Sequence, residues 1–187
     1  MEEKRLVTFL LFSVLIAFLV IGAGSMILNY FSMAEYNLAL PYSTPMDQWP
    51  TAEFVDDIRK LLLIGFMFVL LGLIVVLLFL IIDVVLTSEN EKLKGYIQLS
   101  CCLAIFVVII GLIIIFNQMT SDIPTRMIGG EVVYYYYPYS FAIGAQGQLF
   151  TPIVCLAAIS ITAVPLSINK ILKAGKNNLD VDPKENL

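Results

Sequence analysis

The sequence predicts an all-α membrane protein, a four-transmembrane-helix bundle with a small extracytoplasmic β element. Three observations predict it. Hydrophobic residues fill 59% of the 187 positions and charged residues only 14%, with a mean hydropathy of +0.89. A soluble chain of this size would cover its core with many more charges. The apolar residues also fall in four long blocks without a single charge, and a β-branched and aromatic stretch stands just ahead of the fourth.

The four blocks are Leu6–Leu28, Leu61–Ile82, Tyr96–Phe116 and Leu149–Ile168, the last extending outward to about Ser140. Crossing about 30 Å of hydrocarbon at 1.5 Å per residue takes roughly 20 residues, and each block supplies them. In lipid the backbone must satisfy its own hydrogen bonds, so these are helices, whereas a barrel would show alternating segments of about 10 residues. The apolar run of the first block, 6–21, exceeds the h-region of a signal peptide, so it is expected to stay as a span. Residues 1–168 thus form the transmembrane domain, with spans at about 6–28, 61–82, 96–116 and 140–168. Residues 169–187 are expected as a polar cytoplasmic tail, of which KAGKNNLDVDPKENL shows no apolar period and is expected without order.

Basic residues set the expected orientation. With both termini cytoplasmic, the inner segments hold eight (Lys4, Arg5, Lys92, Lys94, Lys170, Lys173, Lys176, Lys184) and the outer segments three (Arg59, Lys60, Arg126). The outer loops are then residues 29–60 and 117–139. They carry seven acids against those three bases, so the negative charge of the molecule faces outside. The first outer loop contains Pro41, Pro45 and Pro50, which break any long helix. Its last stretch, TAEFVDDIRK, reads as a short helical lead-in to span two, capped by Thr51 or opened by Pro50. The inner loop, 83–95, is short enough to make spans two and three antiparallel neighbours.

The second outer loop holds GGEVVYYYYPY. Residues 132–137 carry a strand signal, bounded by Gly129–Gly130 and Pro138. In a strand, Tyr134 and Tyr136 would face one way and Tyr135 and Tyr137 the other. These rings, with Tyr139 and Trp49, are candidates for an interfacial aromatic belt or for a displayed contact surface.

Enzymatic chemistry finds little support. The chain has no His, which removes the usual general base, metal ligand and haem ligand. Cys101, Cys102 and Cys155 lie in apolar spans, where a cysteine behaves as a small hydrophobe, and none stands in an outer loop to exchange disulfides. No catalytic, metal or cofactor site is expected. No basic run interleaved with aromatics points to nucleic acid. Membrane-embedded charge, which a proton-coupled carrier needs, is absent from the spans. Packing chemistry remains. Gly22 and Gly24 in span one, Gly65 and Gly72 on one face of span two, Gly111 in span three, and Gly144 and Gly147 entering span four are candidate helix-packing positions. Pro152 and Pro165 predict kinks in span four whose freed carbonyls neighbouring Ser or Thr could satisfy. Gln146 and Gln148 are expected near the outer interface or against another helix.

This layout, with a larger first outer loop and a short inner one, resembles the claudin and peripheral-myelin-protein superfamily. DDIRKLLLIG places Arg59 where that family has an Arg entering span two. KGYIQLSCCLAIFVVIIGLI is similar to its span three, with Lys94, Phe106 and Gly111, and EVVYYYY matches the strand of its second outer loop. Trp49 is the only Trp and the first outer loop has no cysteine, so the resemblance implies the family's layout and not its disulfide-locked outer sheet. MARVEL-type tetraspan proteins share the topology as well. The expected role is a non-catalytic scaffold, assembly or adhesion protein whose partners are the lipid bilayer and other membrane proteins or itself. The alternatives are an accessory subunit of a larger membrane enzyme or transport complex and, last, an oligomeric channel with its acidic loops at the mouth.

Overall fold

The structure, a computed structural model, describes residues 2–33, 51–85, 91–121, 123, 125–128, 131–134 and 136–177. Four helices account for most of them: α1 (Glu2–Ser32), α2 (Ala52–Val85), α3 (Glu91–Ser121) and α4 (Tyr136–Asn177). Each contains a stretch long and apolar enough to cross a membrane, and the chain is a multi-pass integral membrane protein. The helices outrun the apolar blocks, because hydropathy marks the hydrocarbon crossing and not the end of the hydrogen-bond ladder. TAEFVDDIRK runs into span two as expected, as the first turns of α2. Thr51 is its N-cap: the Thr51 Oγ1 accepts from the Phe54 amide at 3.1 Å, and its carbonyl accepts from the Val55 amide at 3.0 Å. At the other extreme α4 runs through Asn177, across the start of the expected tail and into the first residues of the stretch expected without order, while residues 178–187 lie outside the described ones. At 42 residues α4 is about 63 Å long, twice the hydrocarbon thickness.

The helices alternate in direction. At one end Arg59, early in α2, meets Tyr30, late in α1; at the other, Phe12 of α1 stacks on Phe79 of α2 with ring centroids 5.8 Å apart. The α3–α4 contact is the most extensive, followed by α2–α3, α1–α4 and α1–α2, with a smaller diagonal contact between α2 and α4. This is the arrangement of an up-down-up-down bundle.

Which faces meet follows a period of seven. In α2 the buried positions are Val55, Ile58, Leu62, Gly65, Val69, Gly72, Val76 and Phe79; in α4 they include Ala142, Ala145, Leu149, Pro152, Leu156, Ile159 and Ala163. Steps of three and four alternate throughout, as in a left-handed coiled coil. The remaining faces are apolar too, with Ile21, Met67, Leu103 and Ile161 all exposed on the outside of the bundle. Large apolar side chains on an outer surface are what contact with the bilayer interior requires.

Between α3 and α4 lies a two-stranded antiparallel pair, β1 (Thr125–Ile128) and β2 (Glu131–Tyr134), in register from Thr125↔Tyr134 to Ile128↔Glu131. The strand stops earlier than the β-branched and aromatic run suggests. Tyr136 already opens α4, with Pro138 in its first turn, where a missing amide costs nothing. The alternating display expected of Tyr134–Tyr137 is thereby corrected: Tyr136 and Tyr137 are helical. The bundle end next to this pair is called the hairpin end below, and the opposite one the far end.

Candidate functional site

Among the described residues, the polar ties and close helix approaches lie along the helix seams and at the two bundle ends. At the hairpin end three helix pairs are tied by residues early in α2 or α4. The Arg59 guanidinium donates from Nε to the Tyr30 carbonyl at 3.2 Å and lies 4.6 Å from the centroid of the Tyr30 ring. It thus caps the negative end of α1 and adds a cation–π contact. Gln146 of α4 does the same for α3, donating from Nε2 to the Phe116 carbonyl at 2.6 Å and to the Thr120 hydroxyl at 3.2 Å. Phe54 of α2 leans on Phe141 of α4 at 6.3 Å. Arg59→Ala should cost about 1–2 kcal/mol in detergent unfolding, and Arg59→Lys should recover only part of it. Equal stability of wild type and Arg59→Ala would refute the capping role.

The glycines divide into two groups. Four line seams within the chain. A β-carbon at Gly22 would stand 3.0 Å from the Pro152 ring, one at Gly65 2.7 Å from Leu149, and one at Gly72 3.1 Å from both Leu156 methyls; Gly111 lies under the Phe68 ring. Leu149 and Leu156 are seven apart on α4, as Gly65 and Gly72 are on α2. The two glycines are therefore notches that admit two leucines along the diagonal. Gly24, Gly144 and Gly147 instead have no described atom within 4 Å of that position. The sequence groups all seven together, yet only four pack within the chain.

Gly144 borders an open groove of about 250 Å³ between α1 and α4, lined among the described residues by Asn29, Ser32, Met33, Ser140, Phe141 and Gln148. Gln146 and Gln148 therefore part company, one against α3 and the other in the groove. The kink prolines are also not compensated as expected. Thr162 donates to the Ala158 and Ile159 carbonyls and Ser167 to that of Ala163. Among the described residues no hydroxyl reaches the carbonyls of Gln148 and Ile161, which lose their amide partners to Pro152 and Pro165.

Of the aromatic candidates, Tyr139 is exposed on the first turns of α4. Tyr134, Tyr136 and Tyr137 are placed by their backbones alone, and Trp49 and Tyr135 lie outside the described residues. Cys102 and Cys155 are buried and Cys101 half-buried, all as free thiols within helices.

The far end holds what the sequence reading missed. Gln98 of α3 is fully buried, donates from Nε2 to the Phe79 carbonyl at 3.2 Å, and accepts from Lys170 Nζ at 2.9 Å. One amide thus joins α2, α3 and α4. Beside it, Gly95 meets the backbone of α4: its missing β-carbon would stand 3.1 Å from the Ser167 carbonyl oxygen and 3.2 Å from the Ile171 nitrogen. A scan of the spans for charges alone passes over both. The signal is the sole amide in span three, four residues after Lys94 on the same helix face. With this geometry in hand, comparison against family descriptions, curated proteins and solved structures finds no match for the chain.

Proposed function

We propose that this chain is a non-catalytic membrane scaffold, assembly or adhesion protein that works through lateral helix packing and through contacts at the hairpin end. The supporting observation is the open glycine face of α4. Gly144 and Gly147 meet no described atom of their own chain, and Gly144 borders the groove that holds Gln148 and Asn29. In lipid, small residues on an outer surface let a second helix approach closely, and amides beside them supply interhelical hydrogen bonds. The excess of lysine and arginine in the segments flanking the far end favours a cytoplasmic location for both termini. The hairpin, Tyr139 and the acidic loops then face outward as an extracytoplasmic β element and contact surface. The four-span layout shared with claudin-like proteins agrees with this role.

Gly144→Leu separates lateral association from folding. The substitution meets open space, so stability of the single chain should be unchanged or raised by up to about 1 kcal/mol. Gentle solubilisation, size separation and mass spectrometry of co-migrating proteins should then show a homo-oligomer, or a complex with other membrane proteins, that Gly144→Leu disperses. A fixed set of unrelated subunits lost together with the chain would make it an accessory component of a larger complex. A wild-type chain that migrates alone would overturn the lateral reading.

A further inference from the structure

Four lysines gather where α3 begins and α4 ends. Lys94 and Lys170 stand two residues outside the apolar blocks that start at Tyr96 and finish at Ile168, and Lys92 and Lys173 flank them exposed. The antiparallel packing of α3 on α4, with Gly95 against Ile171 and Gln98 bonded to Lys170, brings Lys94 and Lys170 to the same seam, with Lys92 and Lys173 exposed at the same end.

Lys94 is the unusual member. It is 6% exposed, yet no hydrogen bond or ion pair among the described residues reaches its ammonium. Glu91, in the same turn of α3, forms no ion pair with it. Lys92 and Lys94 also occupy the first turn of α3, where the helix dipole is positive and cations are disfavoured. The Lys94 stem is buried while its ammonium opens at the surface of the seam; a cation at the positive end of a helix without a hydrogen-bonded partner is disfavoured, and an anion at this position relieves that cost.

The position chooses the anion. The end of an apolar block is the depth of the lipid phosphates, and basic pockets between transmembrane helices hold anionic headgroups. The apolar surface needed for acyl chains is present at the same level, since Leu93, Tyr96, Ile168 and Leu172 are exposed beside the lysines. We propose that the far-end seam of α3 and α4 binds the phosphate of an anionic phospholipid, with Lys94 and Lys170 as its charged contacts. Gln98 acts as a positioning residue, because its amide oxygen holds the Lys170 ammonium at the seam. The site depends on the membrane-spanning reading and not on the scaffold role, so either can fail alone.

Native mass spectrometry of the full chain from micelles with equal phosphatidylglycerol and phosphatidylcholine tests it. The wild type should retain phosphatidylglycerol preferentially. Lys94→Met, which removes the charge and keeps the apolar stem, should lower that preference about fivefold, while the exposed pair Lys92→Gln/Lys173→Gln should lower it less. Equal retention of the two lipids by the wild type, or an unchanged preference in Lys94→Met, overturns the site. If Lys94→Met does not fold, the wild type alone decides: short-chain phosphatidylglycerol should raise its Tm above the value in phosphatidylcholine, and no rise overturns the site. Inorganic phosphate raising Tm as much as the lipid does would also overturn it, in favour of a site for free anions.

Discussion

Gly95→Ala should destabilise the protein by about 2 kcal/mol, although helix propensity alone predicts a gain of about 1 kcal/mol for replacing a mid-helix glycine. The two forecasts differ in sign, so the experiment decides between them. The added methyl would meet the Ser167 carbonyl oxygen at 3.1 Å and the Ile171 nitrogen at 3.2 Å, both backbone atoms of α4, as well as the Ile171 side chain at 2.5 Å. A side chain can rotate away from such a contact, but a backbone cannot without moving the helix. Moving α4 outward would also stretch the Lys170–Gln98 hydrogen bond, at present 2.9 Å. Unfolding in mixed micelles gives the number. Increased stability would mean that α3 and α4 lie farther apart here than described.

Gly72→Leu should cost about 3 kcal/mol and leave the oligomeric state of the surviving folded chain unchanged. Gly72 sits within the bundle, facing Leu156 at 3.1 Å and Val108 at 3.3 Å, and Leu156 is fully buried with nowhere to go. Four extra carbons cannot enter that space. Gly72→Ala is much milder, because the atoms it meets are the ends of flexible side chains and alanine favours the helix. Gly144→Leu is the mirror case, with stability kept and association lost. If Gly72→Leu instead dispersed an oligomer without lowering stability, the α2 glycine face would be an outer surface and the diagonal α2–α4 seam would be wrong.

Much of the architecture is legible in the residues, for a reason specific to membranes. Four uncharged blocks of about the bilayer's thickness can only be helices, whatever their detailed composition. Helix ends were harder. Thr51 could be read as a cap and the stretch after it as a helical entry to span two, but nothing in the apolar pattern says that α4 reaches Asn177. The tyrosine run shows how local propensity yields: β-branched and aromatic composition carries the strand only to Tyr134, and Pro138 then favours a helix start over a longer strand.

By itself the sequence determined the class of the protein, the number of its spans and the places where glycine permits close approach. The tertiary structure alone decided which face of each helix is buried. In a soluble bundle the period of seven would show as apolar against polar; here lipid demands apolar residues on the outer face as well, so the contrast that reveals a seam disappears. Gly24, Gly144 and Gly147 look the same in sequence as Gly65, Gly72 and Gly111, and only the positions of Leu149, Leu156 and Phe68 tell the groups apart. For the same reason Gln98 and Lys94, ordinary boundary residues in the sequence, become the polar clamp and the buried-stemmed cation of the far end once α4 is laid against α3.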